Sequence, residues 1–107
     1  MTKVTFYQNS ENQCVGFTSE DHAGYAQEGE DIVCAAVSAL IITTVNSLEK
    51  FTDDKFDVKE NDGFVSIHFR NNLSERGMLL MDSLLLGLTE IAGSYNNRYL
   101  TVKVKEV

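Results

Sequence analysis

Between residues 3 and 8 apolar and polar positions alternate. Val4 and Phe6 fall on one face, Lys3, Thr5 and Tyr7 on the other, the period of a half-buried strand. Asn9-Ser10-Glu11-Asn12 is turn chemistry. Cys14, Val15, Gly16 and Phe17 then read as the return strand of a hairpin that ends near Ser19. Residues 20–30 show no periodicity and include Gly24 and Gly29; a loop of this length in a small domain is functional or mobile. After it the period becomes helical. Ile32, Val33, Ala36, Val37, Leu40, Ile41, Val45 and Leu48 cover most of a wheel, leaving Asp31, Ser38 and Glu49 as its polar sector. So apolar a helix is expected at the centre of the fold, covered on more than one side.

The second half repeats the element order without repeating the sequence. Phe56 and Val58 alternate with Asp57 and Lys59, Asn61-Asp62-Gly63 signals a tight turn, and Val65, Ile67 and Phe69 alternate with Ser66 and His68. Asn72-Leu73-Ser74-Glu75 has the spacing of a capping box and opens a helix over residues 72–95. Met78, Met81, Leu85, Leu88, Ala92 and Tyr95 form its stripe, widened by Leu84 and Ile91. Leu79 and Leu86, one heptad apart, lie on its otherwise polar side and predict a contact with a second subunit or a bound peptide. Leu100, Val102 and Val104 alternate with Thr101, Lys103 and Lys105 in a last strand. The order ββαββαβ predicts a single α+β domain over residues 1–107, with two layers: an antiparallel sheet packed against two helices.

Charge narrows the function. A net −7 and a pI near 4.6 argue against nucleic-acid binding, which needs a basic stripe, and suit a basic protein partner. The N-terminus has no apolar signal core, and the mostly apolar run over residues 32–42 is too short to span a bilayer. No membrane association and a cytoplasmic location are the expectation. The two cysteines have no metal-ligand spacing, so neither a metal nor another cofactor is expected, and a reducing cytosol disfavours a disulfide between them.

Candidate chemistry centres on Cys34. With Asp31 as N-cap, Cys34 is the third helical residue, where unpaired N–H groups and the positive dipole end favour a thiolate. Those N–H groups also make an oxyanion site. The plainer reading is a small residue packed in an alanine-rich helix. His22 lies twelve residues earlier on the glycine-containing loop, either as a solvated side chain or as a base for the thiol. Asp31 fits two roles, capping the helix or orienting an imidazole. Ser38, one turn after Cys34, either lines the site and touches substrate or returns its hydroxyl to a carbonyl of the preceding turn. His68 alternates with apolar strand residues and faces solvent, and Cys14 is a small buried hydrophobe in the first hairpin.

His22-Ala23-Gly24-Tyr25, Gly29 and the run from Asp31-Ile32-Val33-Cys34-Ala35-Ala36 to Val37-Ser38-Ala39-Leu40, continued by Thr44-Val45-Asn46, resemble the signature of the ribosomal-processing cysteine protease family Prp. The resemblance covers essentially the full chain. It implies a homodimeric peptidase that removes a short N-terminal extension from large-subunit ribosomal protein twenty-seven, with Cys34 as nucleophile and His22 as acid/base. One residue departs: the family carries glycine directly before the histidine, where this chain has Asp21. Asp21 either restricts the histidine loop or sits close enough to raise the His22 pKa. A competing expectation is a non-catalytic, acidic ribosome-assembly factor that binds a basic ribosomal protein. A third is a thiol redox sensor, which the lack of a neighbouring resolving cysteine disfavours.

Overall fold

The computed structural model describes residues 1–21 and 30–107, with the backbone alone at Glu30. The alternating segments become β1 (Thr2–Gln8), β2 (Cys14–Asp21), β3 (Phe56–Asn61), β4 (Phe64–Phe69) and β5 (Leu100–Glu106). The helical periods become α1 (Glu30–Phe51) and α2 (Glu75–Ser94). One five-stranded sheet runs in the order β3-β4-β2-β1-β5. All neighbours are antiparallel except β1 and β5, which run parallel with Val4 opposite Val102. That pair follows from connectivity, since β5 returns through α2, and a helical crossover is what parallel pairing requires. The expected two-layer ββαββαβ domain is therefore present, with one parallel pair at its edge.

The sheet sends Val4, Phe6, Phe17, Ile67, Phe69 and Leu100 into the core. From α1 come Val33, Val37, Ile41 and Leu48, and from α2 Met81, Leu84, Leu88 and Ala92. Phe6 and Phe17 stack at 5.5 Å between ring centres in the middle of the sheet. Three sequence readings change here. First, α1 is covered on one face only: Ile32 and Ile42 remain 64% and 59% exposed, because a single sheet offers a single apolar layer. Second, α1 is 22 residues long and apolar enough, by length and composition, to cross a membrane, so the shorter run seen in the sequence understated it. Its inner face is nevertheless filled by sheet side chains. Third, the α2 stripe is centred on Gly77, Met81, Leu84, Leu88 and Ala92, and Met78 is exposed.

Helix α2 also starts two residues later than its cap signal. Ser74, extended at φ −64° and ψ 168°, is the N-cap and accepts from the Gly77 N–H at 3.0 Å. Asp54, in the connection after α1, fixes that cap by accepting from the Ser74 amide at 3.0 Å and from its hydroxyl at 2.7 Å. The Arg76 guanidinium donates to the Phe51 carbonyl at 3.2 Å, so the end of α1 and the start of α2 are tied together.

Candidate active site

The end of β2 and the beginning of α1 meet beside the first residue of β1. Thr2 pairs with Asp21 across the first hairpin, and Thr2 alone among the β1 polar residues is buried. Its amide donates to the Tyr99 carbonyl at 2.9 Å, and the Asp21 amide donates to the Gly63 carbonyl at 2.7 Å. The backbone at both residues is therefore fixed by neighbouring segments. Gly63 adopts φ +72° in the β3–β4 turn, and a Cβ there would come within 2.6 Å of the Asp21 carbonyl. Glycine is what lets the two chains approach this closely.

Cys34 projects into this corner. Its thiol donates to Asp21 Oδ2 at 3.3 Å, and its sulfur lies 3.5 Å from Thr2 Oγ1. The Thr2 hydroxyl in turn donates to Asp21 Oδ1 at 3.3 Å. Three side chains from three elements thus close a small polar triangle around the half-buried sulfur. Cys14 is elsewhere, with its thiol directed at the Gly16 carbonyl at 3.6 Å, and the two cysteines are not bonded to each other. Burial pushes the Cys14 thiol pKa up, and the nearby Asp82 carboxylate adds to the rise.

The cap reading of Asp31 is corrected. Backbone at Glu30 is already helical, so Asp31 is the second residue of α1 and Cys34 lies in its second turn. A carboxylate in the first turn still faces the positive end of the helix, so Asp31 keeps an electrostatic role without being the cap. Cys34 loses little by the shift. Helical Cα–Cβ bonds tilt toward the N-terminus, so its sulfur lies over the first turn.

A groove of about 360 Å³ opens from the sulfur. Val37, Ile41 and Val45 of α1 form one wall; Val58, Val65 and Ile67 of the second hairpin form the other. Ser38, Asn46, Ser19 and Glu60 supply its polar rim. His68 is exposed on β4 and belongs to no part of this site. His22 lies outside the described residues, as does the rest of its loop through residue 29. Sequence reading missed Thr2 and the walls from β3 and β4. A strand-register partner leaves no local signal, although Asp21 stood out as the residue unlike its family.

Known proteins share this architecture. The family model described as cysteine protease Prp matches residues 1–100. The ribosomal processing cysteine protease Prp of Staphylococcus aureus is 28% identical over 98 residues, which is 90% of this chain and 92% of that protein. Two crystal structures of the S. aureus protease superpose on essentially the whole molecule. One holds a covalently linked product peptide (TM-score 0.87, 26% identity, 98% of this chain and 100% of that one). The other holds a substrate peptide (TM-score 0.90, 25% identity, the same coverage). With a family match over nearly its full length and a thiol at the mouth of a groove, this chain belongs to the cysteine protease Prp family.

Proposed function

We propose that this peptidase removes the N-terminal extension of large-subunit ribosomal protein twenty-seven, with Cys34 as nucleophile and His22 as general acid and base. The observation that carries the reading is the Cys34 sulfur at the mouth of an apolar groove, touched by Asp21. His22 follows Asp21 directly in the chain, and that adjacency in sequence supports it as the base.

In the proposed reaction the His22 imidazole takes the thiol proton and the thiolate attacks the scissile carbonyl carbon. The resulting oxyanion faces the N–H groups of the first turn of α1. Collapse breaks the C–N bond as His22 returns the proton to the leaving amine. Water then hydrolyses the thioester. Only side chains, backbone and water take part. The valine and isoleucine walls suit an apolar peptide side chain, Ser38 lies within the rim that contacts the peptide, and the net charge of −7 suits a basic ribosomal protein. The enzyme works in the cytoplasm as a homodimer and has no nucleic-acid partner in this reading.

The decisive experiment incubates the extended ribosomal protein with the parent chain and with Cys34→Ala, and weighs the products by mass spectrometry. Cleavage by the parent and none by Cys34→Ala, with an unchanged circular dichroism spectrum, is the expected result. Cleavage by Cys34→Ala at the parental rate overturns the assignment of the nucleophile. Tight binding without cleavage by the parent would instead favour an assembly factor.

A further inference from the structure

The contact between Asp21 and Cys34 has a direction. The thiol is the donor and the carboxylate the acceptor, 3.3 Å apart. A thiolate has no proton to give, so ionising Cys34 would lose this hydrogen bond and set two anions side by side. The carboxylate is not on a swinging loop. Asp21 ends β2, pairs with Thr2 in the β1–β2 ladder and is anchored by its amide to Gly63. Its second oxygen accepts from the Thr2 hydroxyl at 3.3 Å, which holds the carboxylate in place.

Other carboxylates stand on the elements packed around the sulfur. From β3 comes Glu60 on the groove rim, and from α1 comes Asp31, three residues before Cys34 on a neighbouring part of the helix face. From β4 come only Val65 and Ile67, and from β1 the uncharged Thr2. Of the three carboxylates, Asp21 is the one in hydrogen-bond contact with the sulfur.

We propose that Asp21 is a positioning residue that holds the Cys34 nucleophile as a protonated thiol at rest, through the direct thiol–carboxylate hydrogen bond braced by Thr2. The inference deepens the proposed reaction and rests on Cys34 being its nucleophile. The resting enzyme is thereby protected from oxidation and stray alkylation, and the sulfur ionises when the carboxylate is neutralised or displaced.

The test is the pH profile of iodoacetamide labelling, resolved by mass spectrometry so that Cys34 and Cys14 are followed separately. Asp21→Asn keeps a polar acceptor and removes the charge. Its Cys34 midpoint should fall by about one pH unit relative to the parent, a tenfold change in the ionisation constant. Asp21→Gly should fall likewise. Glu60→Gln should leave it in place. An unmoved or raised midpoint in Asp21→Asn overturns the proposal, and so does an equal fall in Glu60→Gln. Labelling reads the sulfur and not peptide cleavage, so failure here is distinguishable from failure to cut the ribosomal protein.

Discussion

Cys14 and Cys34 carry the same thiol into different surroundings. Cys14 lies between the sheet and α2, where burial and Asp82 both disfavour the anion, so its pKa stands above the ordinary thiol value. The sign of the consequence is fixed. In alkali the unfolded chain ionises this thiol before the folded one does, so the folded state holds more protons and stability falls as pH rises past about 8.5. Urea melts at neutral and alkaline pH should show that fall in the parent and a shallower one in Cys14→Ala. Equal slopes would mean that burial at Cys14 does not control its ionisation. Residue chemistry of this kind was partly legible in the sequence. The period of the first hairpin marked Cys14 as a small buried hydrophobe, and the His-Ala to Asp-Ile-Val-Cys run marked Cys34 as the candidate nucleophile that the proposed function adopts. The partner of Cys34 was not legible, because the proximity of Thr2 and Asp21 depends on a strand register that shifts by a bulge between Tyr7 and Gln8.

Elements were read more securely than their ends. Both helices and all five strands follow from period, since burying an alternating or 3.6-residue stripe leaves few alternatives. Their boundaries depend on single side chains competing for backbone groups. Asp31 and Asn72 both have cap chemistry, yet α1 begins two residues earlier than an Asp31 cap would allow, at Glu30, and Ser74 wins the α2 cap because Asp54, 20 residues earlier in the chain, holds it. That distant partner has no sequence signal. It also explains Gly77, where a Cβ would collide with the Asp54 carboxylate. Gly77→Ala should therefore destabilise the fold by about 1–3 kcal/mol, despite alanine's higher helix propensity. Asp54→Ala should cost about 1 kcal/mol through the weakened cap. In the double variant the clash is gone, so the two losses should fall short of additive in chemical denaturation. Full additivity would show that Gly77 serves something other than room for Asp54.

At the scale of the whole molecule the helix layer has an unfinished outer surface. Leu79 and Leu86 are 68% and 63% exposed and Met78 is 41% exposed, so α2 presents apolar side chains away from the core as its sequence pattern implied. Two leucines separated by two helical turns span only about 10 Å, too short a patch by itself to supply the roughly 800 Å² per partner of a stable interface. A dimer built here must therefore recruit neighbouring surface around α2, with the leucines at its centre. Exchanging both for serine removes apolar area without adding charge. Side chains this exposed contribute little to the monomer, so its unfolding free energy at low concentration should hold within the roughly 0.5 kcal/mol typical of surface changes. The association constant should suffer more. Each leucine buried in the interface contributes on the order of 1.5–3 kcal/mol, so losing both should weaken dimerisation at least a hundredfold. Light scattering across a dilution series measures this directly: the parent should remain a dimer at micromolar concentration, and Leu79→Ser/Leu86→Ser should dissociate. A parent that is monomeric throughout, or a variant that dimerises as tightly as the parent, would free this face of α2 for another occupant.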